Sequence, residues 1–160
     1  MISEFQKATS NPPLAGDIQA KLTILKFIHV ALVSGVVMFG GVILLMAHNK
    51  ISLMPDFQDP FNLVACGVAV VTIVLATSLQ NFFFVLNPLP KEMPVALAQY
   101  SVFFFIRAAI VESGAMVALV VTFVKPNILP FILAALCAAV LAILRPSQEE
   151  LQRLMKRSPF

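Results

Sequence analysis

Tryptophan is absent from this chain, tyrosine occurs once, cysteine twice and glycine six times in 160 residues, and Asp, Glu, Lys and Arg together make up 12%. Each shortage excludes something. Cys66 and Cys137 both sit inside apolar runs, so they offer no disulfide framework and no CxxC metal site and read as small packing residues. So little charge beside 59% hydrophobic residues excludes an ordinary soluble domain. HExxH, Walker and GxSxG sequences are missing, as is any carboxylate cluster of metal-site spacing. No catalytic residue, metal or cofactor is therefore expected, and the chain reads as a non-enzyme. His29 and His48 are 19 residues apart, about 28 Å along one helix, too far to clamp a haem within one protomer.

What is present is long apolar sequence. A bilayer core of about 30 Å needs roughly 20 apolar residues in a helix, and the runs 22–47, 62–86, 97–124 and 128–144 meet or approach that length. The expected fold is all-α: a polytopic membrane protein whose four transmembrane helices form a bundle over residues 21–145. The first run is too long for a signal peptide, follows a polar, Pro-containing stretch and is not followed by a small-residue cleavage site. Residues 1–20 thus read as a retained cytoplasmic arm.

Orientation follows from the cations. With both termini and the loop between helices 2 and 3 in the cytoplasm, that side holds Lys7, Lys21, Lys26, Lys91, Arg145, Arg153, Lys156 and Arg157, against Lys50 and Lys125 outside. The excess of positive charge is then a topology signal and an affinity for anionic headgroups, and calls for no nucleic acid. The outer loop 49–61 could lie on the membrane surface. The prolines of "NPLPKEMP" (87–94) make a stiff turn, and "KPN" (125–127) is short enough to force helices 3 and 4 to be antiparallel neighbours. In the closing segment 146–160, Ser147 and Glu150 have capping-box spacing, and Leu151, Leu154 and Met155 share one side. An amphipathic cytoplasmic helix is expected there, facing the membrane surface or a protein partner.

Shifting helix 1 by 78 positions lays "FIHVALVSGVVM" (27–38) over "FIRAAIVESGAM" (105–116). Either a two-helix hairpin has been duplicated or two apolar helices share letters by composition. The alignment pairs His29 with Arg107 and Ser34 with Glu112. Charged residues inside a span are costly and usually face protein or water. Glu112 lies about 7.5 Å deeper than Arg107 and is rotated from it by about 140°, so the two do not share a face. For Glu112 the alternatives are a neutral carboxyl bonded to Ser34, Ser113 or a backbone carbonyl, or a reversible proton or cation site with Arg107, His29 and Ser34 around it. Arg107 is expected to snorkel toward the headgroups, braced by Gln80 or Asn81, in a polar network that includes Lys26.

The stretches "IHVALVSGVVMFG", "IRAAIVESGAMVALVV" and "RPSQEELQRL" together resemble a broad group of small bacterial membrane proteins with four helices, which implies a bacterial inner-membrane location. "AAIVESGAMVALVV" also looks like the Glu-bearing helix of rotary-ATPase proteolipid c subunits. Those chains depend on dense glycine, however, and their duplicated form would place the Glu on the fourth helix rather than the third, so the likeness serves as an analogy for Glu112 and is rejected as an identification. The functional expectation is an accessory or scaffolding subunit of a membrane complex, with the bilayer and a membrane protein or a second copy of the chain as partners. The alternative is a small proton or cation translocator using Glu112.

Overall fold

The computed structural model describes residues 15–47, 49–86 and 89–157. Most of the expected N-terminal arm, including Lys7, lies outside them, as do the side chains of Gln80 and Asn81. Five helices follow in order: α1 (Ala15–Ala47), α2 (Pro60–Leu86), α3 (Met93–Val124), α4 (Ile128–Ile143) and α5 (Gln148–Arg157). Among the described residues no strand forms. By length and composition α1, α2 and α3 are long and apolar enough to cross a membrane, and a fourth span is added if α4 and α5, bent by 72° at their break, count as one. These are the proportions of a helical membrane protein. α1 begins earlier than the expected start at 22, and α4 at 16 residues reaches only about 24 Å.

The helix ends follow local chemistry. Pro60 opens α2 and Pro94 lies in the first turn of α3, positions where the missing N–H costs nothing. Asn127 caps α4, its side chain accepting from Leu129 N–H at 2.9 Å. Pro146, three residues past the end of α4, prevents it from continuing. Ser147 then caps α5, its Oγ accepting from Glu150 N–H at 3.1 Å.

The core forms around α3. It packs against α1, α2 and α4, and buries Ala96, Leu97, Tyr100, Phe104, Ala108, Val111, Ala115 and Leu119 along much of its circumference. α1 is held differently. Its fully buried residues, Leu22, Leu25, His29, Val36, Ile43 and Ala47, trace a narrow stripe largely at heptad spacing. α1 and α2 are consecutive, yet α1 leans on α3 and α4 and barely meets α2.

At one end the loop after α1 joins the α3–α4 turn. Ser52 N–H donates to the Pro126 carbonyl at 3.1 Å, and Ile128 N–H donates to the Ser52 carbonyl at 3.0 Å. Asn127 Nδ2 donates to the Met54 carbonyl at 3.0 Å, and Lys125 pairs with Asp59 at 3.3 Å. The loop that could have spread on a surface is thus tied to the bundle.

At the opposite end α5 folds back against the bundle. Leu151 is fully buried, and Leu154 and Met155 pack against the core, so the apolar side read from the sequence is spent on this chain's own helices.

Candidate functional site

Arg107 lies midway along α3 and is mostly shielded from solvent. Its Nε donates to the Ala76 carbonyl of α2 at 2.8 Å, and a terminal nitrogen stands 3.8 Å from a carboxylate oxygen of Glu150 on α5. The other carboxylate oxygen of Glu150 accepts from the Tyr100 hydroxyl at 2.6 Å, and that hydroxyl in turn accepts a long bond, 3.4 Å, from Ser147 N–H. The capping box expected of Ser147 and Glu150 is therefore modified. Its forward bond forms, while the return bond from Glu150 to the cap N–H is relayed through Tyr100. Arg107 does not simply snorkel: it ties α2, α3 and α5 together.

Tyr100 and Glu150 were not anticipated as members of this cluster. Tyr100 precedes Arg107 by seven residues, two turns on the same face of α3, and is the one tyrosine in the chain. That spacing was the available signal. Glu150 gave none, because its partner Tyr100 is 50 residues away.

Glu112 is half-buried in α3, and among the described residues it makes no hydrogen bond or ion pair. Ser113, one of its expected partners, donates to the Ile110 carbonyl of its own helix at 2.7 Å. No hydrogen bond or ion pair among the described residues joins Glu112 to Arg107, His29 or Ser34, so the expected four-residue site is not assembled as a unit.

His29, by contrast, is brought together with two other residues from the sequence reading. It is 4% exposed, packs edge-on against Phe104 at 5.6 Å and faces the Ala142 backbone. Its Nδ1 has no hydrogen-bond partner. Two adjoining cavities open beside it where α1 meets the α4–α5 corner. One, of about 350 Å³, is lined by Lys26, His29, Arg145 and Ser147; the other, of about 210 Å³, by His29, Ser34, Ala142 and Arg145. Lys26 and His29 share a face of α1 because they are three residues apart. In the sequence Arg145 stands out only as one of the cations that set topology.

Elsewhere the polar groups mainly join helices. Gly114 of α3 meets Thr72 of α2 so closely that a Cβ there would collide with the threonine side chain. Thr72 donates to the Ala69 carbonyl at 3.0 Å and is within hydrogen-bonding reach of Cys137 on α4, where the thiol packs as a small core group. Among the described residues no group of three or more His, Cys, Asp or Glu side chains could hold a metal ion. Compared with known protein families, curated proteins and solved structures, the chain matches none.

Proposed function

We propose that the chain is a non-enzymatic accessory or scaffolding subunit of a membrane complex. It sits in a bacterial inner membrane with four crossings and both termini in the cytoplasm. The observation that carries this reading is the incomplete cover of α1. Ala31 and Gly35, spaced four apart, are exposed, and a Cβ added at Gly35 would meet nothing within 4 Å. Small residues at this spacing let another helix approach closely, and α1 keeps them free of its own bundle. The segregation of charge supports the orientation: Lys50 and Lys125 lie at the loop end, and Lys26, Lys91, Arg145 and α5 at the other.

The test is a photo-crosslinking residue placed at Gly35 in cells, with the same probe at exposed Val74 of α2 as the control. A discrete protein adduct, from another membrane protein or a second copy, is expected at Gly35 and not at Val74. An uncrosslinked monomer at both positions would overturn the reading.

The second reading, a proton or cation translocator, draws on Glu112, which is half-buried and lacks a partner among the described residues. Its test is the infrared carboxyl band of membrane-embedded protein, with Glu112→Gln as the control. A band that responds to pH or Na⁺ favours transport; an invariant band removes it.

A further inference from the structure

We propose that the notch between α1 and the α4–α5 corner binds a phosphate group, offered by an anionic lipid headgroup or as a soluble phosphate, through Lys26, His29 and Arg145. Lys26 and Arg145 line the same cavity of about 350 Å³. Neither forms an ion pair among the described residues, so one cation from α1 and one from the α4–α5 break converge on a space whose lining holds no acidic side chain. The cavity is several water volumes large, at about 30 Å³ each.

The second observation is independent of charge. The imidazole of His29 is buried to all but 4% and lines both lobes of the notch; the ring reaches the Ala142 backbone, while Nδ1 has no hydrogen-bond partner. A buried polar atom of this kind ordinarily has a partner. An apolar ligand would leave it unsatisfied, and a metal ion would be repelled by the two cations. A phosphate satisfies both conditions, since it can offer P–O⁻ to a charged ring or P–OH to a neutral one.

Position favours the same chemistry. Lys26 and Arg145 stand at the polar margins of the apolar runs of α1 and α4, the level at which basic side chains meet headgroup phosphates. Of the nearby acids, Glu150 is committed to Tyr100 and Arg107, and Glu149 is exposed. Lys26 and Arg145 are both exposed at the notch, so they can be changed without opening the core.

The experiment is native mass spectrometry of the full-length protein titrated with phosphatidylglycerol, phosphatidylcholine or inorganic phosphate. It is repeated on the Lys26→Gln/Arg145→Gln double variant and on an Arg153→Gln/Lys156→Gln control. One phosphatidylglycerol should bind the native chain in preference to phosphatidylcholine. Its affinity should fall by about tenfold or more in the first variant and by no more than about twofold in the control. Competition by inorganic phosphate would show that the phosphate group alone suffices; binding of phosphatidylglycerol without competition would assign the site to lipid, and binding of inorganic phosphate alone to a soluble ligand.

A second readout keeps the native cluster intact. The ring ¹⁵N signals of His29, isolated by His48→Gln, should move when the phosphate ligand binds. Unchanged affinity in the notch variant, equal loss in the control, or His29 signals that stay fixed at saturation would each overturn the proposal. Crosslinking at Gly35 does not depend on this notch, so the failure of one proposal is distinguishable from failure of the other.

Discussion

α1 and α3 can be laid over one another with a shift of 78 residues, yet 17% of the most apolar window of α1 is buried in the molecule, against 44% for α3. Their linkers account for part of the difference. Three residues separate α3 from α4, so those helices must be neighbours, whereas the twelve between α1 and α2 let α1 settle on α3 and α4 instead. Side chains account for the rest. α3 turns Ala96, Ala108, Gly114, Ala115 and Ala118 toward its neighbours, which admits helices on several sides; α1 offers a single stripe. Similar apolar helices can thus serve as the axis of a bundle or as its margin, and the margin is where surface remains for other molecules.

The comparison can be broken first at its tightest point. Gly114→Ala should destabilise the fold by about 1–3 kcal/mol, because the new methyl must displace Thr72 at the junction of α2 and α3. The same change at Gly35, where a Cβ meets nothing within 4 Å, should leave the isolated chain unharmed or stabilise it by up to about 1 kcal/mol, because alanine favours the helix over glycine. Unfolding in mild denaturant, followed by helix content, measures both. Equal sensitivity at the two glycines would mean that α1 is packed as firmly as α3.

A smaller effect tests the closure of α5 on α3. Tyr100→Phe removes the hydroxyl that donates to Glu150 and accepts from Ser147, and should cost about 1 kcal/mol. The loss should appear as faster hydrogen exchange in residues 148–157, with the loop end of the bundle unchanged. Uniform acceleration throughout the chain would show that α5 does not open separately. The smallest effect is expected from Lys125→Gln. Its pair with Asp59 at 3.3 Å involves a largely exposed lysine, so thermal unfolding should shift by less than about 0.5 kcal/mol of stability.

Much of the architecture was legible in the sequence because it depends on local chemistry. The apolar runs required helices, "NPLPKEMP" required a break between the second and the third, although α3 already begins at Met93, and "KPN" required an antiparallel pair. Ser147 declared its own cap, and Leu151, Leu154 and Met155 declared an apolar side. The candidate sites were harder to read. Lys26, His29 and Ser34 could be singled out as polar residues in an apolar helix, but Arg145, Tyr100 and Glu150 acquire their roles through contacts made across the bundle.

Composition and spacing by themselves therefore determined that the chain is helical, where its helices are interrupted and toward which end most of its positive charge lies. Tertiary structure decided which flank of α1 is buried, that Arg107 meets Glu150 and the Ala76 carbonyl, and that Lys26 and Arg145 line one notch with the buried His29. The physical reason is that a side chain facing lipid and one facing another helix are equally apolar, so hydropathy separates span from loop but not one flank of a span from the other. Pairing between distant charges depends on how the helices are arranged, which local sequence does not encode.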